Sequence, residues 1–261
     1  MDLGWLQLAI AASLVLVSGG VSVLLRLKME KRLAIASFRT IVQLLLIGYV
    51  LKWVFGLSSL LALAPVVLFM VSTATQAAVG RPRRKYRGSV WRTFMTLALT
   101  GLVVTVTATR VIVGIKPWYS AHYFIPLLGM VLGNSMNAVS LCLDELLESF
   151  AQKKEIVEMK LALGATKWEA ARQQVADAVR KGMIPIINSM MVVGVVSLPG
   201  MMTGQILAGA DPFRAVKYQI VIMFMIAAGT AMSSMAVGLL SFRVLFNDRH
   251  QLLANRIISR K

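Results

Sequence analysis

Few residues in this chain have the type and spacing to do chemistry, and those few suit binding or passage better than bond-making. Arg39 and Gln43 share one helical face inside an otherwise apolar run. A charge near a bilayer centre costs about 3 kcal/mol. Arg39 therefore either snorkels to the headgroups or lines an interior polar surface together with Gln43. A guanidinium repels a bare metal ion, so Arg39 would engage an anionic chelate or a carboxylate. Asn134 and Asn137 stand one turn apart below Gly129 and Gly133. The glycines permit close helix approach, and the asparagines then either bond across that contact or face a pathway. Pro199-Gly200 interrupts another apolar run, where a broken helix serves as a gate or solute site or is a packing kink. Met201 and Met202 follow directly, with Met190 and Met191 upstream. Thioethers suit soft ions such as Cu(I), and equally suit adaptable packing.

Catalysis finds little support in the same inventory. No apolar run carries paired carboxylates, a histidine pair or a serine–histidine couple at usable depth, so the chain is not expected to be an enzyme. His122 and His250 are the only histidines, and the topology below separates them. No His/Cys metal site is encoded, and no metal is assigned. Asp144, Glu145 and Glu148 form an acidic cluster that either attracts cations or is a solvated helix end.

The elements that must hold these residues are set by composition. Of 261 residues, 57% are hydrophobic and 15% charged, with a mean hydropathy of +0.73. A soluble enzyme, a secreted disulfide scaffold and a disordered chain are all excluded. Cys142 is the single cysteine and cannot form an internal disulfide. Crossing a bilayer takes about 20 apolar helical residues. Seven runs qualify: 3–25, 33–51, 53–80, 93–115, 117–143, 182–210 and 218–242. The expected fold is an all-α membrane protein, a bundle of seven transmembrane helices forming one transmembrane domain over 1–261.

Charge orients the bundle. The net charge is +17. Segments 26–32, 81–92, 144–181 and 243–261 hold 22 of the 28 Lys and Arg, against 5 in the opposite connections. Basic residues stay on the cytoplasmic side beside anionic lipid, which is a better account of the charge than nucleic acid. The N-terminus is then outside and the C-terminus cytoplasmic in a multi-pass cell (inner) membrane protein. A start of Met-Asp-Leu has no basic leader, so the first span is expected to be retained.

One connection is long. Residues 144–181 show an apolar stripe at Ile156, Met159 and Leu163, then Gly164-Ala165-Thr166, then a second stripe from Trp168 through Ala171, Val175 and Ala178. Gly164 suits a helix C-cap, and Thr166 with Glu169 reads as a capping box. This predicts a cytoplasmic helical hairpin between spans five and six. It either lies on the lipid surface or docks a cytoplasmic partner.

Glu158 and Gly164 carry a resemblance to the coupling loop of ABC-transporter permeases, in which Glu-Ala-Ala is followed after three residues by Gly. Met159 and Lys160 replace the alanines here, and the family's later Leu-Pro is not matched. The run from Arg39-Thr-Ile-Val-Gln43 to Gly48-Tyr-Val-Leu51 resembles the second span of the FetB-type permeases. So do Gly129-Met-Val-Leu-Gly133-Asn134-Ser-Met-Asn137, Ser197-Leu-Pro199-Gly200-Met201-Met202-Thr-Gly204, and Asp211-Pro212 followed by Lys217-Tyr-Gln-Ile220.

That resemblance implies a membrane subunit of an ABC transporter, associated with export of iron or another metal ion. The sequence holds no Gly-x-x-x-x-Gly-Lys-Ser/Thr, so ATP and Mg belong to a separate ATP-binding subunit and this chain binds no cofactor itself. Contact with that subunit falls on Glu158, Leu163, Gly164, Ala165, Thr166 and Trp168. The family further implies a homodimer. Arg39, Gln43, Asn134, Asn137, Pro199, Gly200, Met201 and Met202 are the candidate translocation path. A seven-span receptor, a light-driven pump and a secondary transporter for an unrelated solute are the rival readings. The pump lacks a lysine in its seventh span for a retinal Schiff base.

Overall fold

The computed structural model describes residues 4–56 and 59–259. The chain divides into two compact units, one ending at residue 57 and the other beginning at 58. The first is a hairpin of α1 (Trp5–Leu24) and α2 (Glu30–Val54). Its turn is made by Arg26 and Lys28, both left-handed at φ 52° and 57°. Ser22 ties it: its hydroxyl accepts from the Met29 amide at 3.1 Å and donates to Glu30 at 3.2 Å. The walls of both helices are apolar and exposed, as at Leu16, Phe38 and Tyr49.

The second unit contains α3 (Leu60–Gly80), β1 (Arg84–Tyr86), α4 (Ser89–Val106) running into a π-helical turn (Thr107–Ile112), α5 (Ala121–Gln152), α6 (Lys154–Ala162), α7 (Lys167–Val192), α8 (Gly200–Leu207), α9 (Pro212–Leu245) and β2 (Ile257–Ser259). α5 is the central helix, packed on α3, α4, α7 and α9. Its apolar residues recur at helical spacing, with Leu128, Val131, Val139, Cys142 and Leu146 fully buried. Membrane helices gain no hydrophobic drive from one another, so small residues set how close they come. A Cβ at Gly182 would stand 2.7 Å from the Ala138 carbonyl oxygen, and one at Gly229 would stand 2.7 Å from Val131 Cγ1. At Gly129 an added Cβ would stand 3.4 Å from Met70, and at Gly133 it would meet nothing within 4 Å. Between α4 and α9, the hydroxyls of Thr100 and Ser233 bond at 2.7 Å.

Among the described residues, five helices are long and apolar enough to cross a membrane: α2, α3, α4 with its π-helical turn, α5 and α9. α1 is apolar over Ile10–Leu24. The third expected span starts later than its run, because Trp53 and Val54 are the last residues of α2 and α3 begins at Leu60. The sixth, 182–210, is not one helix. α7 ends at Val192, where Gly194 turns left-handed at φ 83° and its amide donates to the Ser197 carbonyl at 2.9 Å. The break is centred on Gly194, before Pro199, which instead caps the start of α8. A short ribbon also departs from the all-α expectation: β1 pairs antiparallel with β2, Lys85 opposite Ile258.

Candidate functional site

The long connection is helical almost throughout. α5 runs nine residues past Leu143 to Gln152, α6 follows, and the chain reverses over 163–166 into α7. The reversal has the chemistry its residues predict. Gly164 is left-handed at φ 91°, and the amides of Gly164 and Ala165 donate to the carbonyls of Leu161 and Lys160 at 3.0 and 3.1 Å. Those bonds satisfy the last carbonyls of α6, which a helix end otherwise leaves open. The Thr166 hydroxyl accepts from the Glu169 amide at 3.3 Å, and the Glu169 carboxylate accepts from the Thr166 amide at 2.8 Å. The Thr166 hydroxyl also donates to that carboxylate at 2.7 Å, and this bond first, then the amide, holds the Glu169 carboxyl below its usual range.

What stands beneath the hairpin decides which of its residues are available. Trp168 packs edge-on against Phe242 of α9, with centroids 5.4 Å apart. Phe242 in turn meets Phe246, and Phe246 meets Phe150 of α5. Trp168 thus braces the hairpin through its ring contact with Phe242 while remaining 41% exposed, and Val157 is fully buried. The outward stripe is Ile156, Met159 and Leu163, with Leu163 80% exposed at the tip. Glu158 is exposed and lies 3.6 Å from Lys154.

The chain's own tail, which sequence reasoning left unassigned, also grips the hairpin. The Lys167 amide at the start of α7 donates to His250 Nδ1 at 3.0 Å, and Lys167 Nζ lies 3.5 Å from Asp248. A cavity of about 520 Å³ opens between α6 and the tail, lined by Lys154, Glu158, Leu161 and His250. The available signal was the turn-forming Asn247-Asp248, followed by the apolar Leu252-Leu253.

Each member of the half-buried acidic cluster has a partner within the chain. Asp144 accepts from the Arg83 amide at 2.9 Å, Glu148 pairs with Arg84 at 2.8 Å, and Glu145 with Lys181 at 2.6 Å. Basic loop and acidic helix end are thus partners across the sequence.

The remaining candidates are scattered. Arg39 and Gln43 are exposed on α2, within the first unit. Asn134 and Asn137 are exposed on α5. Asn134 donates to its own helix at the Met130 carbonyl, 2.9 Å away, and Asn137 accepts from Arg81. Met201 lines a cavity of about 390 Å³ with Met130, Met225, His122 and Arg214, whereas Met202 is buried and Pro199 and Gly200 lie outside that lining. Asp211 at its rim caps α9, accepting from the Arg214 amide at 2.8 Å. Among the described residues, no three His, Cys, Asp or Glu side chains converge on a metal position.

Helices of this length and apolarity, with a capped hairpin at one end, define a multi-pass membrane protein. Residues 5–246 match the family described as "Uncharacterised protein family (UPF0014)", and the chain belongs to that family. It is 39% identical over 255 residues to a "UPF0014 membrane protein" of Synechocystis, covering 97% of this chain and 95% of that one. It is 34% identical over 251 residues to the "Probable iron export permease protein FetB" of Escherichia coli, covering 96% and 95%. The "Protein ALUMINUM SENSITIVE 3" of Arabidopsis thaliana is 32% identical over 249 residues, covering 95% and 90%. No solved structure matches. The family resemblance read from the spans is thereby borne out.

Proposed function

We propose that this chain is the membrane-spanning permease subunit of an ABC transporter, driven by a separate ATP-binding subunit that holds the α6–α7 hairpin. The observation that carries this is Leu163: 80% exposed, apolar, and mounted on a turn capped at both sides and braced by the Trp168–Phe242 contact. An exposed apolar knob on a rigid base suits reception by a groove and transmission of a push. Glu158, Gly164, Ala165 and Thr166 shape that knob, and Trp168 backs it.

The transporter is a homodimer with two ATPase partners, which bind the ATP and Mg. It sits in the cell membrane with seven crossings, α7's end and α8 together making the sixth. The N-terminus is outside, and the hairpin and C-terminus are cytoplasmic. The solute is iron or another metal ion, exported. Support for that comes from the names of the relatives, one for iron export and one for aluminium sensitivity. Arg39, Gln43, Asn134, Asn137, Pro199, Gly200, Met201 and Met202 remain the proposed path.

Leu163→Asp tests the docking. The variant should accumulate normally, because the side chain is exposed, yet lose co-purification with a P-loop ATPase and lose coupled ATP hydrolysis in lipid. Retention of both would remove the hairpin from the docking surface.

A further inference from the structure

The exposed surfaces of the long helices are apolar almost everywhere, as at Phe69, Leu99 and Phe224. One face differs. Asn134 and Asn137 are exposed on α5, and Asn188 is exposed on α7. The two helices run antiparallel: Gly182 abuts Ala138 and Cys142, while Ile186 packs with Leu127 and Val131. Pro185 and Asn137 accordingly line one cavity of about 410 Å³, together with Arg81, Leu141 and Asp144. Asn188 lies one turn from Pro185, in the direction in which Asn134 lies from Asn137. Thirteen residues separate Asn134 from the start of α5 at Ala121, which at 1.5 Å per residue is about 20 Å. Asn134 therefore sits well inside α5, and Asn188 lies in the last apolar turns of α7, which ends at Val192.

Hydrocarbon offers an amide no hydrogen-bond partner, and leaving it unsatisfied there costs about 4–8 kcal/mol on a cyclohexane scale. Asn134 and Asn137 each have one partner, at Met130 and Arg81, but an amide carries two donors and two acceptor lone pairs. The unused ones on these exposed side chains are tolerated where they meet water or protein. The row of three also has two ends. Asn134 bonds the carbonyl of Met130, which lines the cavity shared by Met201 and His122. Asn137 opens on the cavity of Arg81 and Asp144 and receives the Arg81 guanidinium.

We propose that this α5–α7 face is a water-lined wall of the solute path, joining the Met130 cavity to the Arg81 cavity, with Asn134, Asn137 and Asn188 receiving a polar, hydrated solute. The inference rests on the permease reading and deepens it. It adds Asn188 and gives Arg81 the position of a closing group at one mouth. An amide supplies both a donor and an acceptor without fixed charge, so it can replace water around a passing solute without trapping it.

Cys142 is the single cysteine and is fully buried, so the native chain gives a silent background for thiol labelling. Full-length chains carrying Asn134→Cys, Asn137→Cys, Asn188→Cys, Leu99→Cys or Phe224→Cys are treated in native membrane vesicles with a membrane-impermeant methanethiosulfonate. Labelling after SDS denaturation corrects for the amount of protein. The three former asparagine positions should react about tenfold faster than 99 and 224, because a thiol in an apolar setting stays protonated and unreactive. Leu141→Cys, on the same wall, replaces any asparagine variant that fails to insert. Reaction at 134, 137 and 188 as slow as at 99 overturns the proposal. Loss of ATPase association in Leu163→Asp would stand unaffected by that result, so the two readings fail separately.

Discussion

Thr166 shows how much a single side chain sets at the hairpin. Its hydroxyl and amide hold both ends of the capping box with Glu169. Thr166→Ala removes the cap and should cost about 1 kcal/mol locally, read as faster amide exchange in the first turn of α7. Glu169 adds a pH dependence whose sign follows from its lowered pKa. A carboxyl with a folded value below its unfolded value stabilises fully above the ordinary 4.5 and loses that contribution as pH falls through the folded value. The first turn of α7 should therefore fray in acid below that point, and Glu169→Gln should flatten the profile. Both caps were legible in the sequence because a capping box spans only four residues. The role of Trp168 was not, since its partner Phe242 is 74 positions away.

Among the elements, helix spacing rests on a few glycines. Gly182 faces the Ala138 backbone and Ser234 Oγ at 2.7 and 3.0 Å from an added Cβ. Gly182→Val forces α7 away from α5 and α9 and should cost about 1–3 kcal/mol, the usual range for overpacking. Gly204→Val on α8, with nothing within 4 Å, is the comparison and should leave stability close to native. The aggregation temperature of the detergent-solubilised protein distinguishes them; equal values would refute the packing argument. Within the chain, the Gly129-x-x-x-Gly133 pair stands further from its neighbours than Gly182 and Gly229 do. A glycine pattern announces that close approach is permitted on a helix, and the neighbour that uses it is chosen by tertiary packing. α7 carries a similar lesson: its apolar run continues to residue 210, but left-handed Gly194 ends the helix at Val192.

For the whole molecule, the question is the solute. A deletion strain challenged with iron, copper, zinc, manganese and aluminium should become sensitive to one of them, with raised internal content of that metal. Wild-type tolerance of all five would defeat metal export while leaving the permease reading in place. The basic loop 81–88, the acidic end of α5 and the tail are clasped together through Arg84–Glu148 and the β1–β2 ribbon. A movement imposed on the hairpin therefore meets a joined end of the bundle.

By itself the sequence determined that this is a helical membrane chain with a capped hairpin and the motifs of its family. Those properties are local or compositional: apolar run length, loop charge, a Gly turn and a four-residue cap. Only the tertiary structure decided that Asn134, Asn137 and Asn188 are all exposed, that the tail holds the start of α7 through His250, and that Glu148 and Glu145 pair with Arg84 and Lys181. Each of those depends on residues far apart in the chain, and no periodicity reports which sides of two helices will be turned toward each other.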